Sequence, residues 1–125
     1  MIKTEIKVKK AIIIPDGTHE GVIVNIRYRS KPFEYVDLEI QINILGEIME
    51  LKCGFPQVIS KNSKLGYLLI RFGETLEDGT SIDPDKVLIG KKCRIKTMTE
   101  TNANGKFARI IPDSVCPYDG VQKAL

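Results

Sequence analysis

Cationic and aromatic side chains alternate in residues 27–35, which read RYRSKPFEY. This pattern suits a single-stranded nucleic acid, because cations neutralise phosphates and flat rings stack on bases. The predicted phosphate contacts of this segment are Arg27, Arg29 and Lys31, and the predicted stacking residues are Phe33 and Tyr35. Tyr28 would share a strand face with Val24 and Ile26, so a core position is the alternative for this ring.

A second cationic stretch forms two predicted strands near residues 88–111, which read LIGKKCRIKTMT before the turn and GKFARII after it. Arg94 and Lys96 alternate with apolar residues on the first of these strands, and we predict that both contact phosphates. On the second strand, Arg109 and Phe107 would form another pair of phosphate contact and stacking residue. Whether their side of the strand faces outward or into the core stays open at this point.

The turn between these two strands is polar. We predict that Asn102, Asn104 and Lys106 contact base edges or sugars. An ordinary hairpin turn is the alternative, since asparagine and glycine are also the usual turn residues.

No set of residues predicts catalysis. His19 is the single histidine, and no second base or nucleophile accompanies it in the sequence. Residues 78–85 (DGTSIDPD) do not match the spacing of an EF-hand calcium loop, and no pairing of residues fits a zinc site. We therefore expect a protein that is not an enzyme, with no catalytic residue, no metal site and no cofactor.

The size and charge of the chain fit one small, weakly basic domain. It has 125 residues, 42% of them hydrophobic and 28% charged, with a formal net charge of +3. Because this net charge is low, the distribution of charge matters more than its total. Basic residues cluster at 3–10, 27–31, 61–71 and 91–96, whereas the acidic residues of the stretch 74–85 have no cation among them. We expect one basic and one acidic side.

The cysteines predict free thiols. Cys53, Cys93 and Cys116 are an odd number, lie far apart and include no CxxC pair. Buried free thiols in a reducing compartment are the expected state. The sequence has no apolar run long enough for a membrane span and no signal-peptide pattern, so we expect a soluble, cytoplasmic protein without a membrane partner.

Alternating apolar residues predict three strands in the first half of the chain, at residues 20–29, 35–44 and 47–55. A short apolar strand at 12–14, which ends in a turn, precedes them. One face of the strand at 20–29 carries Val22, Val24, Ile26 and Tyr28. On the strand at 35–44 the residues predicted to face inward are Val36, Leu38, Ile40, Ile42 and Ile44, and one face of the strand at 47–55 carries Met49, Leu51, Cys53 and Phe55.

The period then changes to that of a helix. Leu65, Leu68, Leu69 and Phe72 form one stripe, with capping residues before it and Gly73 after it. Residues 74–86 are predicted as an acidic loop, and regular structure is expected to end at residues 111–112. These elements define a single domain over residues 1–113, with a possible extra strand or arm at 1–11, and a C-terminal tail at 114–125.

The predicted fold class is all-β, a small β-barrel with one helix. Three strands, a helix and two strands follow the order of an OB-fold, a five-stranded Greek-key barrel with its helix between strands 3 and 4. An SH3-like barrel and an irregular sandwich are the alternatives.

Residues 88–95 (LIGKKCRI) and 104–110 (NGKFARI) resemble the last hairpin of small OB-fold single-stranded DNA-binding proteins of the phage or mobile-element type. In strand order the resemblance covers residues 12–112. Two features of the bacterial housekeeping proteins are absent from this sequence: tryptophan, and a long Gly/Pro-rich linker with an acidic tip. Recruitment of partner enzymes through such a tip is therefore not implied.

The resemblance implies binding of single-stranded DNA with little sequence preference, in support of DNA replication or recombination. RNA stays open as the ligand, and so does a homo-oligomeric state. The alternative function is a protein-interaction or structural assembly module on the same barrel, a phage or mobile-element component that binds no nucleic acid.

Overall fold

The computed structural model describes Glu5, Ile6, Val8 and residues 14–118. Most of the possible arm at 1–11, two residues of the predicted strand at 12–14 and the last residues, 119–125, lie outside this described part. The strands are β1 (Gly17–Arg29), β2 (Tyr35–Ile44), β3 (Glu47–Pro56), β4 (Lys92–Asn102), β5 (Gly105–Ile110) and β6 (Cys116–Pro117). The helices are α1 (Lys64–Arg71) and α2 (Pro84–Leu88), and a 3-10 turn spans Pro112–Ser114.

The strands form one six-stranded antiparallel sheet in the order β3-β2-β1-β4-β5, with β6 paired to β4. This confirms the all-β class. The sheet is not closed by hydrogen bonds, although Cα atoms of the edge strands β3 and β5 come within 8 Å of each other. The architecture is therefore an open, curled sheet with α1 inserted between β3 and β4.

The central strand β1 changes its facing at a bulge between Ile23 and Asn25. Ile23 is fully buried and Ile26 is buried, whereas Val22 and Val24 are only partly covered. The prediction that Val22 and Val24 share the core face with Ile26 was therefore wrong, because a bulge adds one residue and shifts the alternation. Beyond the bulge, Arg27 and Arg29 point away from the core, as predicted.

Gly21 lies in the part of β1 that pairs on both sides, with Ile42 of β2 and Cys93 of β4. A Cβ atom at this position would lie 2.7 Å from the carbonyl oxygen of Gln41. The close approach of β2 to β1 therefore requires glycine here.

The alternation predicted for β2 and β3 is confirmed. Val36, Leu38, Ile40 and Ile42 are buried on β2, and Cys53 and Phe55 are buried on β3. Ile44, Met49 and Leu51 pack against this cluster and are partly covered.

The free thiols predicted for Cys53 and Cys93 are confirmed and buried, and Cys116 is a free, partly buried cysteine. Burial raises the pKa of both buried thiols to about 12.

The helix α1 covers the core with Leu65, Leu68 and Leu69, all almost fully buried, as its apolar stripe predicted. The hydroxyl of Ser63 accepts a hydrogen bond from the backbone N of Gly66 at 2.9 Å and caps the first turn. None of the helices in the described residues is long and apolar enough to cross a membrane.

The acidic stretch ends in a short helix that the sequence analysis missed. Asp83 caps α2 by accepting a hydrogen bond from the backbone N of Asp85 at 3.0 Å, and Pro84 occupies the first turn. Leu88 is fully buried at the end of this helix. The strand predicted from residue 88 therefore begins later, at Lys92.

Ordered structure continues beyond the predicted end at residues 111–112. Val115 is fully buried, and its carbonyl oxygen accepts a hydrogen bond from Nε of Arg71 at 2.7 Å. Cys116 and Pro117 then pair with Arg94 and Cys93 of β4. The described part of the predicted tail, residues 114–118, thus packs against the sheet.

Candidate nucleic-acid interface

The outward surface of β1, β2 and β3, which we name the three-strand face, is built from cross-strand rows. Arg29, Tyr35 and Pro56 are neighbours in one row. The next two rows are Arg27, Asp37 and Gly54, followed by Asn25, Glu39 and Lys52. Side chains at equivalent positions of paired strands lie on the same face, so these rows bring the predicted residues of both strands together.

Arg29 and Tyr35 are in direct contact. The guanidinium carbon of Arg29 lies 4.9 Å from the centre of the Tyr35 ring. The same guanidinium donates two hydrogen bonds to Asp37, at 2.6 and 3.1 Å. A Cβ atom at Gly54 would lie 2.8 Å from Oδ1 of Asp37, so the missing side chain leaves space for this pair. The hydrogen bonds to Asp37 thus hold the cation over the ring.

Glu39 is the buried centre of the neighbouring row, with a side chain that is 7% exposed. It accepts hydrogen bonds from Nε of Arg27 at 2.8 Å and from Nδ2 of Asn25 at 3.1 Å, and Nζ of Lys52 lies 3.8 Å away. The hydrogen bond from Arg27 holds the pKa of Glu39 below its usual value, against the opposing effect of desolvation. Arg27 therefore already has a carboxylate partner.

The loop after β1 exposes its predicted residues. Phe33 is 70% exposed, and Lys31 is exposed beside it. Tyr28, whose placement the sequence left open, is 47% exposed and donates its hydroxyl to Oδ1 of Asp85 at 2.7 Å. Partial burial and this carboxylate raise the pKa of Tyr28 to about 12. Tyr28 thus connects β1 to α2 and lies on the side opposite to Arg29.

The exposure of the side chains on β5 shows which side of this strand faces outward. Ile110 is buried and Ala108 is partly covered, whereas Phe107 is 44% exposed on the other side with Arg109. Phe107 pairs across the ladder with Glu100. Nη1 of Arg109 lies 3.3 Å from a carboxylate oxygen of that glutamate. The ring and the cation are therefore both available on the surface, and the cation has an acidic neighbour.

In the turn between β4 and β5, one of the predicted contact residues already forms a hydrogen bond within the turn. The side-chain oxygen of Asn102 accepts a hydrogen bond from the backbone N of Asn104 at 2.7 Å, whereas the Asn104 and Lys106 side chains are exposed. The turn between β4 and β5 and the loop of Phe33 are not neighbours.

Arg29 pairs with Tyr35 at one end of β1, and Gly17 pairs with Thr97 at the other. The two predicted groups of loop contacts thus extend from opposite ends of β1.

Arg94 has an aromatic neighbour that the sequence analysis missed. Its guanidinium carbon lies 4.6 Å from the centre of the Tyr118 ring, and the backbone N of Tyr118 donates to the carbonyl oxygen of Lys92 at 3.0 Å. Lys96 is exposed further along β4, where its backbone N donates to the hydroxyl of Ser114 at 2.9 Å. The apolar residues Val115 and Pro117 next to Tyr118 were the available signal for ordered structure.

No protein-family model matches this chain, and no curated protein matches it.

His19 joins two elements instead of standing in a cluster. Its Nε2 atom lies 2.8 Å from the carbonyl oxygen of Pro15 and 3.1 Å from the hydroxyl of Thr97. In the part of the chain that the structure describes, no group of three histidine, cysteine, aspartate or glutamate residues could hold a metal ion.

Proposed function

We propose that this protein binds single-stranded DNA with little sequence preference, in support of replication or recombination, and that it does so without catalysis. The observation that carries the proposal is the contact of Arg29 with the Tyr35 ring, next to the largely exposed Phe33. A stacked guanidinium and ring, with a second free ring nearby, can hold bases and phosphates of one strand.

We further propose that the sheet is an OB-fold barrel. The strand order β3-β2-β1-β4-β5, the approach of β3 to β5 and the helix between β3 and β4 support this interpretation. In that fold the face of strands 2 and 3, with the loop between strands 1 and 2 and the loop between strands 4 and 5, binds oligonucleotides. The three-strand face would then be the floor of the interface.

The lysines supply the cations that are free to meet phosphates. Lys31, Lys96 and Lys106 are exposed, and none of them forms an ion pair with a described residue. By contrast, carboxylates already neutralise Arg27, Arg29 and Arg109 in part. We therefore assign the salt-sensitive part of the affinity mainly to these lysines.

The proposal is tested by fluorescence anisotropy with a labelled oligo-dT of about 20 nucleotides. The double variant Phe33→Ala with Tyr35→Ala is expected to weaken binding by at least tenfold, because each stacked base contributes about 1–3 kcal/mol. Tyr67→Ala removes a half-exposed ring of α1 and is the matched control, with wild-type affinity expected.

The same titration at about 50 and 200 mM salt separates this function from others. Contacts to several phosphates make the logarithm of affinity fall by about 0.7 per contact for each tenfold increase in salt. An affinity that the double variant leaves unchanged, or that does not respond to salt, contradicts the proposed interface.

A second candidate function, a protein-interaction or structural assembly module, is favoured by a different observation. Glu39, Asp37 and Glu100 neutralise the charge of the three arginines with which they pair. A surface of this kind attracts polyanions only weakly. Leu45 is fully exposed and Ile48 is 62% exposed at the tip of the β2–β3 hairpin. Absence of oligo-dT binding at low salt, together with self-association in sedimentation velocity, would select this candidate.

A further inference from the structure

Two shallow pockets adjoin on the outward side of β4, away from the loop of Phe33. One has a volume of about 380 Å³ and is lined by Phe72, Gly90, Lys91, Lys92, Pro117 and Tyr118. The other has a volume of about 390 Å³ and lies over β1 and β2. Lys92 and Tyr118 line both pockets, so together the two form one groove, which we name the Tyr118 groove.

We infer that a single strand of nucleic acid crosses the Tyr118 groove, with one base stacked against Tyr118 and its phosphates at Lys91 and Lys92. This inference rests on the proposed function and adds a second contact region to it. The volume of each pocket lies within the usual range for small-ligand sites, about 300–1,000 Å³.

The ring of Tyr118 is held in place for stacking. Its backbone N is bonded to the carbonyl oxygen of Lys92, and the preceding residues Cys116 and Pro117 are paired with β4. The guanidinium of Arg94 lies over the ring, as in the contact of Arg29 with Tyr35. A ring fixed to the sheet stacks on a base with little further loss of conformational entropy.

Charge divides the groove into two parts. The first pocket is lined by two lysines and two aromatic rings, and no acidic residue belongs to its described lining. It suits a phosphate next to a base. The second pocket contains Glu20, which lies across from Arg94 in the ladder, and the amides of Gln41 and Asn43. The Gln41 amide is a suitable partner for a base edge, and so is the amide nitrogen of Asn43, whose side-chain oxygen already accepts a hydrogen bond from the backbone N of Gly46 at 2.9 Å.

The groove leads onto the three-strand face. Val22 and Gln41 line the second pocket and pair with each other on β1 and β2, next to the bulge that precedes the row of Asn25 and Glu39. Gln41 lies six positions after Tyr35 on β2, a distance of roughly 20 Å along an extended strand. One continuous path thus connects Tyr118 with the Arg29–Tyr35 pair.

The first test compares Tyr118→Ala with Tyr118→Phe in the oligo-dT titration. Loss of the ring is expected to weaken binding by roughly 5- to 100-fold. Tyr118→Phe keeps the ring face and is expected to bind within about twofold of wild type. Tyr67→Ala again is the control, and thermal unfolding followed by circular dichroism confirms that each variant is folded.

The second test changes charge on side chains that are exposed and outside the core. Lys91→Gln with Lys92→Gln is expected to reduce the salt slope by about 1.4, which is about 0.7 for each lost phosphate contact. Lys61→Gln with Lys64→Gln removes two exposed lysines near the start of α1 and is expected to leave the slope unchanged.

The outcomes separate the two proposals. Wild-type binding that weakens with Phe33→Ala and Tyr35→Ala, but not with Tyr118→Ala or the Lys91 and Lys92 variant, overturns the Tyr118 groove alone. Failure of the wild-type protein to bind oligo-dT overturns both proposals. Quenching of the intrinsic tyrosine fluorescence provides an independent measurement, since the chain has four tyrosines and no tryptophan. A smaller quench in Tyr118→Phe than in Tyr67→Phe is expected.

Discussion

Glu39 is a buried carboxylate that connects three strands. It contacts Asn25 and Arg27 on β1 and Lys52 on β3. Its hydrogen bonds replace the water that burial removes, so the charged form is favoured in the folded protein. The residue thus stabilises the position of Arg27 on the three-strand face.

This carboxylate predicts an acid-sensitive part of the stability. The folded pKa of Glu39 is lowered, whereas an unfolded glutamate titrates near about 4.3. The stabilisation is therefore complete above about pH 4.3 and is lost as pH falls through the folded pKa. We expect Glu39→Gln to reduce the difference between the unfolding free energies at about pH 7 and about pH 3.5, measured with urea.

The matched control is Glu50→Gln, because this glutamate is exposed on β3. It should keep the wild-type pH dependence. If this difference in unfolding free energy between the two pH values were equal for wild type and Glu39→Gln, the role assigned to Glu39 would be contradicted.

At the scale of elements, α1 depends on a glycine that its own helix would not favour. Alanine is normally preferred to glycine inside a helix by about 1 kcal/mol. At Gly66, however, an added Cβ atom would overlap the backbone carbonyl oxygen of Ser60, which lies in the capping loop. The glycine is required because the loop before α1 folds back against the first turn.

We therefore expect Gly66→Ala to destabilise the protein by about 1–3 kcal/mol, since backbone atoms must move to accept the methyl group. Chemical denaturation measures this change. Lys64→Ala, at an exposed position of the same helix, should stay within about 0.5 kcal/mol of wild type. A stabilised Gly66→Ala variant would mean that the loop can yield.

The segment after β5 also contributes to the stability of the fold. Val115 is fully buried, and the carbonyl oxygen of this residue binds Arg71 of α1. Val115→Ala is expected to lower the unfolding free energy by about 2 kcal/mol, from lost burial and the cavity that remains. Asp113→Ala, exposed in the preceding 3-10 turn, should change it by less than about 0.5 kcal/mol. Similar unfolding midpoints for the two variants would place Val115 outside the cooperative core.

Local patterns predicted those elements whose burial repeats regularly. The alternation of β2 and the stripe of α1 depend on spacing alone. The bulge in β1 could not be predicted in this way, because Val22, Ile23 and Val24 are all apolar and either facing buries a branched side chain. Helix α2 did carry a signal that was missed, since Asp83 before Pro84 is the usual start of a helix.

The candidate site likewise has features that local sequence patterns predict and features that they do not. Exposure of Phe33 and the outward facing of Arg27 and Arg29 followed from loop chemistry and alternation. The carboxylate partners of these arginines lie on β2, and their proximity depends on the cross-strand register, which the local sequence does not encode. The contact of Arg94 with Tyr118 depends on the pairing of two distant segments and was equally out of reach.

At the scale of the whole molecule, opposite charges are separated along the chain. The acidic stretch at 74–85 ends in the first turn of α2, and Lys91 and Lys92 follow this helix. Asp85 is held by the hydroxyl of Tyr28 on the side of β1 opposite to Arg29. The proposed path for a polyanion across the three-strand face therefore lies on the opposite side of β1 from this carboxylate.

The position of β1 in the middle of the sheet also sets an order in time. Gly17 and its partner on β4, Thr97, are 80 residues apart in sequence. At about 5–20 residues per second, a ribosome needs about 4–16 s to synthesise the interval between them. The hairpins of β1, β2 and β3 can form during that time, while one edge of β1 waits without its partner. A newly made chain thus passes several seconds with an open strand edge, the period in which it is most exposed to pairing with another nascent copy.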